Sequence, residues 1–72
     1  MEYVVNLTWD SEAAVWIATS NDISGLVLES GSFDALVERV RFAVPELLAL
    51  NGAKESPCVL TFQSERRERI AM

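Results

Sequence analysis

The sequence predicts a small α+β domain whose elements follow the order βββαβ. Apolar and polar side chains alternate over residues 3–10, which is the period of a strand with one buried face. Apolar residues recur at spacings of three and four over residues 33–48, which is the period of an amphipathic helix. Two further runs before the helix and one after it consist mainly of aliphatic, aromatic and threonine side chains, so they complete the strands.

The first two strands are predicted to form a hairpin. The first strand ends at Asp10, and the second covers residues 14–20, where the β-rich run Val-Trp-Ile-Ala-Thr lies. Polar and small residues between them form the turn. A three-residue loop over residues 10–12 is the favoured connection.

The length of that loop decides which face of the sheet each hairpin side chain occupies. With three residues, Leu7 lies opposite Val15 and both face the core. Asn6, Trp16 and Ala18 then share the opposite face. A two-residue loop shifts the pairing by one residue and turns Trp16 inward.

A turn and a short third strand precede the helix. Residues 21–25 are turn formers, and residues 26–29 form the third strand. The hydroxyl of Ser32 is expected to cap the helix N-terminus, and Asp34 lies in the first turn, where the helix dipole favours an acid. Pro45 removes a backbone donor inside the pattern, so the helix is expected to kink there or to end and restart.

The helix is expected to stop at Asn51 and Gly52, before a fourth strand over residues 58–63. A single domain therefore spans residues 1–63, and a charged C-terminal tail covers residues 64–72. A right-handed crossover places the fourth strand parallel to the first at the sheet edge. One helix covers only one face of four strands, so the other face has nothing in this chain to cover it.

Charge is unevenly distributed along the 72 residues, which carry a net −5. Residues 1–63 contain nine acidic and three basic side chains, a net of −6, whereas Arg66, Arg67 and Arg69 bring the last nine residues to +1. Affinity for nucleic acid depends on neutralising phosphate, so the acidic body disfavours direct nucleic-acid binding. The alternative is that the arginine tail binds nucleic acid. A solvated and frayed terminus is the favoured interpretation of that segment.

The chain shows no sign of a membrane or secreted protein. Its first residues lack the basic start and apolar run of a signal peptide, and no window holds 18 uninterrupted apolar residues. The single cysteine, Cys58, has no partner for an intrachain disulfide and is expected to be a small structural hydrophobe within the last strand. These features predict a cytoplasmic protein without membrane contact.

Groups that could carry catalysis are few. The chain has no histidine, so the commonest general base and the usual nucleophile pairs are missing, and no cluster of ligands for zinc is present. The glycines Gly25, Gly31 and Gly52 lie at element boundaries and form no phosphate-binding motif. We therefore predict no catalytic residue, no cofactor and no metal. The alternative is a small ligand-binding or enzymatic domain with a site formed by Trp16 and nearby carboxylates at a dimer interface.

The small size predicts self-association. Burial of apolar surface in an 8.0 kDa chain contributes about 107 kcal/mol, and ordering the chain costs about 108 kcal/mol, so the domain alone is marginal. A homodimer or higher homo-oligomer is expected to supply the additional stability. Asn6, Trp16 and Ala18, on the uncovered face, are the candidate protein-contact residues, with Trp16 as the anchor. The competing interpretation of Trp16 is a core residue.

Residues 13–48 resemble the HicB-like group of small bacterial domains, and most closely a short family of unknown function within it. In that group the second strand is followed by a turn of the type Pro-Asp-Leu-Pro-Gly, a third strand and a Gly-Thr or Gly-Ser helix start. Asp22, Ile23 and Gly25 match the turn, with Ser24 where proline is usual, and Gly31-Ser32 matches the helix start. The helix ending Pro45-Glu46-Leu47-Leu48 is similar to the short family.

The resemblance implies a partial ribonuclease-H-like sheet without catalytic carboxylates. HicB proteins are antitoxins that cover the HicA toxin ribonuclease, and a separate C-terminal segment binds operator DNA. No stretch after Gln63 is long enough for such a segment. By resemblance, the chain is expected to be a non-catalytic interaction domain that binds a HicA-like toxin without a DNA-binding module of its own.

Overall fold

The computed structural model describes residues 1–53 and 57–71, and within them it contains four strands and one helix. The elements are β1 Glu2–Asp10, β2 Val15–Thr19, β3 Val27–Ser30, α1 Phe33–Leu50 and β4 Val59–Glu65. They form one sheet in the order β3-β2-β1-β4, with β1 antiparallel to β2 and parallel to β4. The predicted α+β fold, a βββαβ chain with one helix on one face of the sheet, is confirmed.

The hairpin register differs from the favoured prediction. Leu7 pairs with Ala18 instead of Val15, and Trp9 pairs with Trp16, because four residues, 11–14, separate the two strands. The prediction that Asn6, Trp16 and Ala18 share a face is therefore wrong. Trp16 points to the helix side. The two-residue-loop alternative gave Trp16 the same orientation, although the observed loop has four residues.

The local cause of this register lies in Asp10 and Ala14. The Oδ1 atom of Asp10 accepts hydrogen bonds from the backbone N–H groups of Glu12 and Ala13, at 3.0 and 3.3 Å, which bends the chain immediately after β1. Ala14 has φ +55°, a left-handed conformation that few non-glycine residues adopt. Ala14 thus ends the loop, whereas the sequence pattern places it in the second strand.

The hydrophobic core lies between α1 and one face of the sheet. The helix contributes Leu36, Val40 and Val44, all at positions that the helical period predicts. The strands contribute Val5, Leu7 and Ala18, and the connection before β3 contributes Ile23 and Leu26. The Cα atoms of α1 come within 8 Å of β2 and β3 but not of β1 or β4 among the described residues. The helix therefore lies towards the β3 side of the sheet.

The turn between β2 and β3 is hydrogen-bonded to β1. The Ser20 hydroxyl donates a hydrogen bond to the Val4 carbonyl at 2.6 Å and accepts from the backbone N–H groups of Asp22 and Ile23. The Asp22 carboxylate accepts from the Val4 N–H at 2.7 Å. These bonds hold Ile23 where its side chain enters the core, so residues predicted only as a turn also supply core packing.

Both ends of α1 follow the sequence prediction. The Ser32 hydroxyl accepts a hydrogen bond from the Ala35 N–H. At the other end, Gly52 has φ +79° and donates to the Ala49 carbonyl, while the Ala53 N–H donates to the Leu48 carbonyl, which is the Schellman arrangement. The helix runs without interruption through Pro45, so it does not end and restart there.

β4 begins and ends later than predicted. It runs to Glu65, two residues beyond the expected end, and Cys58 precedes it as an exposed residue, so the expectation of Cys58 as a strand hydrophobe is wrong. Within the predicted tail over residues 64–72, Ser64 and Glu65 belong to β4, and Met72 lies outside the described residues. Residues 54–56, in the connection before β4, also lie outside them.

Candidate protein-interaction surfaces

The face of the sheet opposite α1, called the open face below, carries a mixed acidic and apolar surface. Strand residues on this face include four carboxylates and no lysine or arginine: Glu2, Asp10, Glu29 and Glu65. Their apolar neighbours are Val4, Val15, Ile17, Val27 and Val59. No other element of the described chain packs on this face. It is therefore available to a partner and negatively charged.

Ile17 lies at the middle of β2 on the open face. It pairs with Glu29 on β3 and with Thr8 on β1, and Val15 precedes it on the same face of β2. Ile17 is half-buried, whereas Val27 on the edge strand is 71% exposed. A partner that covers β2 and β3 would remove both side chains from water.

Asn6 also lies on the open face, in a shallow depression between β1 and β4. Its neighbours there are Thr8, Gln63 and Glu65, and the depression has a volume of about 280 Å³. The lining is mainly polar, with one acidic group. Of the three predicted contact residues, Asn6 is the one that the structure places on the open face.

Trp16 and Ala18 lie on the other face of the sheet. Ala18 is fully buried in the core, so a partner docked on the open face does not reach its side chain. Trp16 is half-buried in a cluster with Trp9 and Phe33, at ring-centroid distances of 5.4 and 4.9 Å. The interpretation of Trp16 as a core residue therefore fits its position. The carboxylates of the open face lie on the opposite side of the sheet from Trp16.

Arg66 covers this aromatic cluster at the end of β4. Its guanidinium carbon lies 4.2 Å from the centroid of the Trp9 ring and 6.0 Å from that of Trp16, and its Nε donates to Glu68 Oε1 at 2.8 Å. The sequence analysis did not predict this contact. The cluster of arginines in the tail was the only sequence feature that could have suggested it. Arg66 thus packs on the aromatic cluster, and the first two residues of the predicted tail, Ser64 and Glu65, belong to β4.

Substituting Arg66 with alanine is expected to lower the free energy of unfolding by about 0.5–1 kcal/mol, because the stack on Trp9 lies at an exposed site. Urea denaturation followed by tryptophan fluorescence measures the loss. Arg69→Ala removes the same charge from another exposed position in the tail and is the control. Equal losses in the two variants would show that net charge, and not the stack, sets the effect.

Neither a group of metal ligands nor a membrane-spanning helix is found in the described residues. Within residues 1–53 and 57–71, no three acidic or cysteine side chains are grouped so that they could hold a metal ion. No helix in this part of the chain has both the length and the apolar character needed to cross a bilayer.

Comparison with known proteins agrees with the observed fold. A family model described as a domain of unknown function, DUF1902, matches residues 2–72. The crystal structure of a hypothetical protein from the extremely thermophilic bacterium Thermus thermophilus is 37% identical in sequence. It superposes with a TM-score of 0.83, over 97% of this chain and 100% of that one. No curated protein matches the sequence. The chain therefore belongs to the DUF1902 family, whose function is unknown.

Proposed function

We propose that the chain is a non-catalytic protein-interaction domain of HicB-like type that self-associates and binds a basic protein through its open face. The partner class is a HicA-like toxin ribonuclease, so the role is antitoxin-like. The observation that carries the proposal is the composition of the open face, which has four carboxylates, several half-exposed aliphatic side chains and no basic residue among its strand positions.

Charge favours a basic partner. A ribonuclease that holds RNA needs positive charge to bind phosphate, and such a surface is complementary to Glu29, Asp10 and Glu65. The same carboxylates repel nucleic acid, so the domain is suited to occupying the RNA-binding surface of a partner. The proposal accordingly includes no direct contact between this domain and nucleic acid.

Apolar residues provide the desolvated centre that protein interfaces need. Ile17 has Val15 beside it on β2 and Val27 diagonally across on β3, while Glu29 lies directly opposite Ile17 and Asp10 opposite Val15. Apolar side chains and carboxylates are therefore adjacent on this face. The turn at Asp22, Ile23 and Gly25 and the helix start at Gly31-Ser32 support the HicB-like part of the proposal. We also propose a cytoplasmic location, consistent with an exposed cysteine that makes no disulfide.

The test is affinity capture with the native chain from the extract of its own source, followed by titration of the captured protein after purification. We expect a small basic protein with ribonuclease activity to be retained and that activity to be inhibited. Ile17→Asp, in the centre of the open face, is expected to weaken binding at least tenfold, and raised salt is expected to weaken it further.

Phe42→Asp is the matched control, because Phe42 is an exposed apolar residue on α1, remote from the open face. It is expected to bind as the native chain does. Equal binding by native chain and Ile17→Asp would remove the open face from the proposal. Failure to retain any basic protein would contradict the proposed partner class, and light scattering of the purified chain tests self-association separately.

A further inference from the structure

We propose that two copies of this chain pair through the free edge of β4, antiparallel, so that the two sheets form one continuous eight-stranded sheet. The inference rests on the self-association part of the proposed function and names the surface that would carry it. β4 is an edge strand in the order β3-β2-β1-β4, so one side of its backbone has no neighbouring strand among the described residues. An edge of this kind is a template for another strand.

The hydrogen bonds show which groups of β4 are free. The Val59 N–H donates to the Met1 carbonyl at 2.8 Å, and Val59 pairs with Glu2. Because the N–H and C=O of one strand residue point the same way and alternate along the strand, Leu60, Phe62 and Ser64 direct theirs away from β1. Three donors and three acceptors therefore lie along an unpaired edge of seven residues.

The other edge of the sheet is less suited to pairing. β3 has only four residues, and the Arg39 side chain crosses its free edge, where Nη1 donates to the Glu29 carbonyl at 2.8 Å. A strand added there would have to displace this bond. Among the side-chain hydrogen bonds of the described residues, none reaches the outward backbone groups of β4, so β4 is the better template.

Side chains on β4 favour a second copy as the added strand. Leu60 and Phe62 face the helix side and are half-buried, because α1 lies over β2 and β3 and leaves the β4 side of that face thinly covered. Antiparallel pairing about a twofold axis at Phe62 sets Phe62 against its copy and Leu60 against Ser64. The two Phe62 side chains then meet on the helix side, while the polar Thr61 and Gln63 meet on the open face.

Charge also favours a second copy over an unrelated strand. Beyond Arg66, which stacks on Trp9, the segment 67–71 is an exposed arm with two arginines, Arg67 and Arg69, and the long axis of the molecule reaches 52 Å against 18 Å in the other two directions. In the antiparallel pair each arm runs towards the first residues of β4 in the other copy, which lie beside Glu2 of that copy. The basic arm of one copy thus approaches the acidic body of the other, where residues 1–63 carry a net −6.

Amide hydrogen exchange by NMR, together with sedimentation, tests the pairing on the native chain. We expect a species of twice the 8.0 kDa chain mass. At concentrations where it dominates, the amides of Leu60, Phe62 and Ser64 should exchange at least tenfold more slowly than after dilution to the single chain. In a single chain these three amides have no hydrogen-bond partner among residues 1–53 and 57–71, so their exchange should be fast.

Ser64→Pro provides a second test, because it removes an outward N–H without removing a bond to β1, and edge strands tolerate proline. We expect this variant to sediment as one chain, whereas Ser64→Ala, which keeps the N–H, stays paired. Circular dichroism verifies that both are folded. If Ser64→Pro does not fold, the exchange measurement on the native chain decides.

The two ways in which the proposal can fail are distinguishable. A two-chain species with fast exchange at Leu60, Phe62 and Ser64 overturns the β4 edge but leaves self-association standing. A native chain that sediments as one chain at every concentration overturns both the edge pairing and self-association, while binding to a basic partner through the open face is judged by its own experiment.

Discussion

Substituting Ala18 with aspartate is expected to abolish folding, whereas the same substitution at Ile17 leaves a folded protein. Ala18 is fully buried under α1, where a carboxylate would have neither water nor a cationic partner, and the cost is several kcal/mol. A domain of this size has a free energy of unfolding near the low end of about 5–15 kcal/mol. Ile17 faces the open side and is half-buried, so its replacement costs about 1 kcal/mol.

The two variants differ by one position along β2, which makes them a direct test of the hairpin register. Far-ultraviolet circular dichroism and urea denaturation of both proteins provide the measurement. A folded Ala18→Asp protein together with an unfolded Ile17→Asp protein would support the three-residue loop and contradict the pairing of Leu7 with Ala18.

Substituting Leu36 with alanine is expected to lower the free energy of unfolding by about 3 kcal/mol. Leu36 is fully buried at the centre of the contact between α1 and the sheet, so the change removes apolar contacts and leaves a cavity. In a marginal domain a loss of this size populates the unfolded state at moderate temperature.

Leu50→Ala is the matched control, since it is the same substitution at the last residue of the same helix, where the side chain is 81% exposed. We expect it to change the free energy of unfolding by less than about 0.5 kcal/mol. Thermal and urea denaturation of the two variants compare them. Similar losses at Leu36 and Leu50 would contradict the core position of Leu36.

Local sequence patterns are sufficient to predict the elements and their order. The alternation in β1, the helical period of Leu36, Val40 and Val44, and the caps at Ser32 and Gly52 each depend on neighbours a few residues away. The parallel direction of β4 follows from the single helix before it, because a helix that crosses the sheet returns the chain in the direction of β3, which runs parallel to β1.

The hairpin register cannot be predicted from the same patterns. It depends on the hydrogen bonds that Asp10 accepts within the loop and on the left-handed conformation of Ala14, a residue type that rarely adopts it. When a loop shifts the pairing register by an odd number of residues, every side chain of the strand moves to the opposite face of the sheet. For this reason the pattern assigns Trp16 and Ala18 to the wrong surface and misses Ile17 as an open-face residue.

Residue type and spacing are enough to establish the strands, the amphipathic helix, the acidic body and the basic tail, because each of these is a local property of the chain. The folded arrangement was needed to show which side chains share the open face and that Arg66 stacks on Trp9. It was also needed to show that Arg39 occupies the edge of β3, whereas no described strand pairs with the outer edge of β4. Those facts depend on pairing between distant segments, where a single residue in a loop changes what faces the solvent.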